Sequence, residues 1–465
     1  MRPESRKLML FDLNRFGAGT YKQEAAKIVH LAWPMFIAQI AQVGVGVVDT
    51  VMAGRYGAED LAAVALGTSL FMTLYISLMG VVTALNPILS QLYGAQKISD
   101  LSKVASQGVW LAFILGIVGM LIMWALIVPL NHYFKLGDYV KHVFAYYMFW
   151  IAMALPFALV YRSLHAYASS LNRPKPMMWI SLFGLCMSIP INYVLIYGLW
   201  GIPGLGGIGC AIGTVLVFAI NTVCLWLYIR YDGYFKQFGR LSLAGGLDLP
   251  ILKRIVVLGI PIGLSFLIEV SLFTFISILI ANLGVEYVAS QQVVINISSL
   301  VYMVPQSLGA ALSVCVGYAV GSGQMQRARY IAGVGLTIGV VASCVTVLVI
   351  LIFRTPIVSL YTTDAAVITI GATLLVFNAV FQLPDAMQTI ATGALRGYKV
   401  TRLPMVVHVI AFWVFGLCLG YVLCFHFNMG IYGFWTALIF SLTLAAIAFI
   451  ILLSRVSQRF MSKQA

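Results

Sequence analysis

The sequence predicts an all-α integral membrane protein, with twelve transmembrane helices in two pseudo-symmetric six-helix lobes. Three observations carry this. The 465-residue chain is 62% hydrophobic and only 9% charged, with mean hydropathy +0.99, outside the range of ordinary soluble globular proteins. Apolar runs of about 20 residues, the length that crosses the hydrocarbon core as a helix, occur twelve times. The second half of the chain also repeats the first.

The expected spans are 26–52, 61–92, 105–130, 141–168, 177–199, 207–230, 251–282, 287–320, 328–353, 367–395, 403–424 and 430–454. Around them lie a cytoplasmic segment (1–25), an amino-terminal lobe (26–230), a cytoplasmic linker (231–250), a carboxyl-terminal lobe (251–454) and a cytoplasmic tail (455–465). Of the 28 Lys and Arg, only Arg55, Lys135, Lys141 and Arg354 fall in the odd-numbered loops. By the positive-inside rule both termini are then cytoplasmic, which requires an even number of spans. The net charge of +14 is therefore topogenic, and no nucleic-acid partner is implied. The first run has full span length and no small-residue cleavage site, so it is expected to stay in the membrane. Asp248 and Pro250 have the chemistry of a cap and first-turn proline for span 7, and Leu243–Pro250 is a hinge candidate between the halves.

Laid on the second half with a shift of 227 residues, Leu31-Ala-Trp-Pro34 meets Leu258-Gly-Ile-Pro261 and Tyr75 meets Tyr302. With a shift of 228, Leu155-Pro156-Phe157-Ala158 meets Leu383-Pro384-Asp385-Ala386. A unit of six spans, an even number, gives both halves the same orientation, the arrangement of parallel-repeat transporters, with substrate between them. The halves differ chemically. Glu269 replaces Gln42 and Asp385 replaces Phe157, while Asp49 meets Ile276.

Only 14 residues are acidic, and almost all lie in termini or loops. Asp49, near the end of span 1, Glu269 in span 7 and Asp385 in span 10 do not. An unpaired charge there costs roughly 3 kcal/mol or more. One such residue could be a neutral packing carboxyl, but three favour a functional cavity. Pro261 precedes Glu269 and Pro384 adjoins Asp385; a proline removes a backbone donor, so carbonyls freed near the acids are expected to face that cavity. Asn192, just after Pro190, can hydrogen-bond a carboxylate and is expected to share a polar cavity with Asp49. Phe273, Tyr302 and Phe381 offer aromatic faces to an organic cation.

Other patterns exclude chemistry. Gly204-Leu-Gly206-Gly-Ile-Gly209 fits a dinucleotide fingerprint but joins two spans and follows no strand, so it reads as a tight re-entry. No P-loop, zinc-ligand helix or nucleophile elbow occurs, so neither ATP-driven transport nor an enzyme is expected. The six histidines show no ligand spacing and read as interfacial packing; the seven scattered cysteines imply neither disulfides nor zinc. No cofactor is expected beyond a coupling ion.

The stretch Pro34 to Gly54 with Asp49-Thr-Val-Met-Ala-Gly54, Ser90-Gln-Leu-Tyr-Gly-Ala-Gln96, Pro190-Ile-Asn192-Tyr, Gly259-Ile-Pro261 with Glu269, and Pro384-Asp385 before Gly393-Ala-Leu-Arg-Gly397 together resemble the multidrug and toxic compound extrusion (MATE) family over nearly the whole chain. Glu269 with Asp385 points to its NorM-like branch. The resemblance implies an antiporter that expels organic cations in exchange for Na+ or H+. It implies Glu269, Asp385 and Tyr302 as the cation site, the two acids as Na+ ligands, Asp49 and Asn192 as the polar site of the other lobe, and Ser69 and Asp364 near the drug. Two carboxylates with extra oxygens suit Na+, with H+ as a possible companion ion, since close carboxylates can also share a proton. The expected partners are small cationic amphipathic drugs or dyes and the lipid bilayer of a bacterial inner membrane, with the protein a monomer. The rival reading is a lipid-linked precursor flippase, which would favour a cationic cavity; here the mid-span acids outnumber the mid-span bases.

Overall fold

The computed structural model describes residues 17–133, 137–199, 201, 203–239, 241–243 and 245–462. Residues 1–16 of the expected amino-terminal segment, Lys135, and residues 463–465 of the expected tail lie outside these. Among the described residues, twelve helices are long and apolar enough to cross a membrane: α1 Gly19–Tyr56, α2 Ala58–Gly94, α3 Ile98–Tyr133, α4 Asp138–Ser170, α5 Lys175–Tyr197, α6 Gly207–Tyr231, α7 Leu249–Leu283, α8 Val285–Gly321, α9 Met325–Ser359, α10 Ala365–Gly397, α11 Arg402–His426 and α12 Ile431–Ser462. Each matches one expected span.

Most run beyond the apolar stretch that predicts them. At 38 residues α1 is about 57 Å long, well over the hydrocarbon thickness. Nor does α12 stop where the tail was expected: Arg329 of α9 donates from Nη1 to the Ser454 carbonyl at 2.8 Å and to Ser457 Oγ at 2.5 Å, holding its last turns. Two helices break where proline dictates. α2 is interrupted at Ala84 and α4 at Met153, each three residues before a proline, Pro87 and Pro156, whose ring cannot accept a regular preceding turn. α11 widens into π-helix over Val409–Cys418 and Val422–His426, a feature often found at functional sites.

The chain folds into two compact units, one comprising Trp33–Gly263 and the other the stretch ending at Ala32 with Leu264–Ala465. This division falls inside α1 and α7, whereas the lobes expected from sequence were 26–230 and 251–454. In the carboxyl-terminal unit the start of α1 is a built-in element. Ile28, Leu31 and Ala32 enter the core with Leu312, Ile331 and Phe449, Arg327 Nε donates to Glu24 Oε1 at 3.0 Å, and the Tyr21 hydroxyl lies 3.1 Å from Thr337 Oγ1. In the amino-terminal unit the first half of α7 lies against α2. A Cβ at Gly263 would come 2.6 Å from the Ser77 carbonyl oxygen, and one at Gly259 would strike that of Val81, so this small-x-x-x-small face admits only glycine at such approach.

The linker is fastened to the beginning of α3. Gln107 donates from Nε2 to the Gly246 carbonyl at 2.8 Å and accepts at Oε1 from the Asp248 amide at 3.0 Å. Ser106 Oγ takes the Ser242 amide at 3.1 Å, and Trp110 Nε1 donates to the Leu243 carbonyl at 3.3 Å. Lys103 Nζ lies 2.7 Å from Asp248 Oδ2, while Oδ1 caps α7 through the Ile251 amide at 3.3 Å. The cap read from sequence is present. The hinge candidate, Leu243–Pro250, includes Ala244, which lies outside the described residues; on either side of it the linker is tied down by these five bonds and the ion pair.

Candidate functional site

In the amino-terminal unit the site is built around Asp49 on α1, only 6% exposed. Asn192 of α5 donates from Nδ2 to Oδ1 at 2.5 Å and Thr214 of α6 from Oγ1 to Oδ2 at 2.6 Å, so both carboxylate oxygens accept from neutral donors. The Cys210 thiol reaches the Asp49 carbonyl at 3.5 Å. Gly213 makes this possible, because a Cβ there would collide with Asn192 Oδ1. The Gly206 turn also serves the packing: at φ 56° it leads α6 in so that the Gly207 amide donates to Asp60 Oδ1 at 2.6 Å. The re-entry read from the glycines thus rests on an acid anchor, itself held by the Tyr139 hydroxyl at 3.1 Å.

In the carboxyl-terminal unit, Glu269 of α7, Tyr302 and Gln306 of α8, Gln388, Thr389, Thr392 and Arg396 of α10, and His408 of α11 surround a cavity of about 20 Å³, room for about one water-sized body. Close backbone approach draws α8 to α10, since a Cβ at Gly393 would strike the Gly309 carbonyl. Asp385, 3% exposed, accepts at Oδ1 from Gln388 Nε2 at 3.1 Å. Its charge opposes that of Glu269, and the Tyr302 hydroxyl faces both Glu269 and Thr389. The Arg396 guanidinium sits 5.0 Å from the Phe266 ring centre. Two carboxylates and one guanidinium leave one net negative charge when both acids are ionised.

The backbone argument from proline does not hold at Glu269. The carbonyl that Pro261 deprives of its helical donor belongs to Val257, twelve residues and about 18 Å along α7 from Glu269. The oxygen-bearing neighbours are side chains instead, Gln306, Thr389 and Thr392 among them.

The remaining expected residues are placed as follows. Phe273 meets Phe381 edge to face with ring centres 6.4 Å apart, and Phe381 abuts Trp435 at 5.7 Å. At 3% exposure Phe381 is a core ring, and its faces are not open to a ligand. Ser69 is exposed and its hydroxyl donates back to the Ala65 carbonyl at 2.8 Å. Asp364, also exposed, caps α10 by accepting from the amides of Ala366 at 2.8 Å and Val367 at 3.3 Å. Sequence reasoning missed Thr214, Gln388 and His408. Gln388 lies three residues after Asp385 on one helical face and could have been read. His408, taken for interfacial packing, is 4% exposed and bonds Gln388 Oε1 through Nε2 at 2.9 Å.

The MatE family model matches the chain twice, at residues 34–194 and 261–422. The two matches start at Pro34 and Pro261, the pair brought together by the 227-residue shift. A protein described as "Probable multidrug resistance protein NorM" from Neisseria meningitidis serogroup B is 50% identical over 442 residues, 95% of this chain and 96% of that one. One of the same description from Chromobacterium violaceum is 48% identical over 458 residues, covering 97% and 98%. A solved structure, "MATE transporter NorM-NG in complex with R6G and monobody", superposes with a TM-score of 0.81 at 46% identity, over 93% of this chain and 94% of that one.

Proposed function

The chain belongs to the MATE family, and from that premise we propose that it is a secondary active multidrug efflux antiporter that expels organic cations in exchange for Na+, with H+ as a companion ion. It works as a multi-pass protein of the bacterial inner membrane with both termini cytoplasmic, in line with the placement of the basic residues. Relatives that share about half the sequence are described as multidrug resistance proteins.

The observation that carries the reading is the pairing of half-buried Glu269, which lines one small cavity, with buried Asp385, which is bonded to Gln388 in the wall of that cavity. Its single net negative charge is neutralised by one monovalent cation or one proton. A cavity of about 20 Å³ has room for one dehydrated ion. Drug and ion compete through the carboxylates' charge. Such coupling is worth about 1–3 kcal/mol. Hard oxygen donors favour an alkali cation, and Glu269, Tyr302, Gln306, Thr389 and Thr392 all bring oxygen to the wall. Asp49, with Asn192 and Thr214, is the proton-handling or substrate-facing acid of the other half. Ser69 and Asp364, both exposed, are drug-contact positions.

The test uses proteoliposomes loaded with a fluorescent lipophilic cation. An inward Na+ gradient at symmetrical pH is expected to drive efflux. Efflux that ignores Na+ and follows a pH gradient alone would transfer the coupling to protons.

A further inference from the structure

His408 is buried at the wall of the Glu269 cavity, and its ring is locked by aromatic neighbours: Phe412 stacks on it with centres 5.3 Å apart and planes 10° from parallel, and Phe449 abuts it at 4.8 Å. Its Nε2 meets Gln388 Oε1 at 2.9 Å, and Gln388 Nε2 meets Asp385 Oδ1 at 3.1 Å. The direction of this chain follows from its ends. An ionised Asp385 oxygen only accepts, so the Gln388 amide nitrogen must face it, its carbonyl must face His408, and His408 must carry hydrogen on Nε2.

Two further facts separate this from packing. His408 Nδ1 is buried without a hydrogen-bond partner among the described residues. An aliphatic side chain would fill the slot between Phe412 and Phe449 without that penalty, so what histidine adds is the Nε2 donor. The internal repeat supplies the second fact. With the 228-residue shift, Asp385, Gln388 and His408 fall on Phe157, Val160 and Ile180. Where the acid is absent, both polar neighbours are absent too.

We propose that His408, acting through Gln388, is a positioning residue for Asp385: gripping Oδ1 sets the direction of Oδ2 and thereby the Na+ affinity of the carboxyl-terminal site. This rests on the reading of Asp385 as a coupling-ion ligand. Both side chains also line the cavity, and the role assigned to them is to hold Asp385, whichever oxygens the ion takes. Removing a group that orients a cation's ligand typically changes cation affinity roughly 10–100-fold.

The experiment measures 22Na+ binding to the purified full-length protein at fixed pH, with thermal unfolding in Na+-free buffer run alongside. His408→Met is expected to weaken Na+ binding roughly 10–100-fold without lowering the Na+-free unfolding temperature. His408→Gln, whose amide can reach the position of Nε2, is expected to stay near wild type. Gln388→Met is expected to match His408→Met, and the double variant to be no worse than either, because the two act in series. Wild-type affinity in His408→Met, or equal impairment in His408→Met and His408→Gln, overturns the inference alone. If wild type binds no Na+, or Asp385→Asn binds as well as wild type, the Na+ assignment falls and takes this inference with it.

Discussion

Lys103 and Asp248 lie 2.7 Å apart and close the fastening of the linker onto α3. The Lys103 ammonium, hydrogen-bonded to Asp248, together with the Ile251 amide, holds the Asp248 carboxyl below the usual carboxylate range. A depressed carboxyl contributes its stability above its unfolded pKa, near 3.8, and loses it as pH falls through the folded value. Protection of the Ser242 and Asp248 amides, measured as hydrogen exchange relative to the intrinsic rate at each pH, should therefore be high at neutral pH and fall under strong acid. Gln107→Ala should accelerate both at any pH; unchanged exchange would mean the linker is held by something else.

Removing one donor from Asp49 is the test of the amino-terminal cluster. Thr214→Val keeps shape and deletes the hydroxyl that reaches Oδ2, at a cost of about 1.5–3 kcal/mol for a bond to a charged acceptor. The expected result is a lower thermal midpoint in detergent and weakened efflux. Gly213→Ala should be worse, since its methyl displaces Asn192. A Thr214→Val protein of wild-type stability would show that the contact contributes little.

Glu269→Gln and Asp385→Asn each remove charge with little change of volume. Both are expected to insert and fold, yet to lose gradient-driven efflux of a fluorescent cation, because a single residual acid is then balanced by Arg396, which lines the same cavity. Normal pumping by both variants would make these carboxylates structural.

Packing of α8 on α10 predicts a different signature. Gly393→Ala drives a methyl into the Gly309 carbonyl, and overpacking of this kind costs about 1–3 kcal/mol. Expression and thermal midpoint should fall. A wild-type midpoint would show that the helices can part without penalty.

Orientation is open to direct labelling. Single cysteines at Ala58 and Leu205, in a background without other cysteines, should react with an impermeant thiol reagent added outside intact cells. Those at Ser99 and Ser242 should react only from inside. The opposite pattern at two sites would reverse the assignment of the termini.

The membrane spans were legible because hydropathy over twenty residues depends on neither partner nor packing. Their ends were not, since helical hydrogen bonding continues past the apolar stretch, as in α12 beyond Ser454. Asp49 with Asn192 could be read because an acid and an amide are scarce in apolar spans. Thr214 could not, threonine being common there and often content with its own helix carbonyl. Pro261 misled because its effect falls one turn before itself, on Val257, and not towards Glu269. The role of His408 depends on the two phenylalanines that enclose it, which only the folded chain brings together. Asp364 before Ala365-Ala-Val carried a cap signal that its acidity obscured.

Glu24 bonds Arg327 at the head of α9, and Lys103 at the head of α3 bonds Asp248; both acids and both bases are separated by the same 224 positions. Each repeat thus lends its leading segment to the unit formed mainly by the other. During synthesis the stretch ending at Ala32 emerges before Trp33–Gly263 but belongs to the unit completed after it, while that earlier unit waits for residues up to Gly263. Cutting the gene at the linker would leave one product without its α7 stretch and the other without the start of α1, so each would lack an element that packs into its unit.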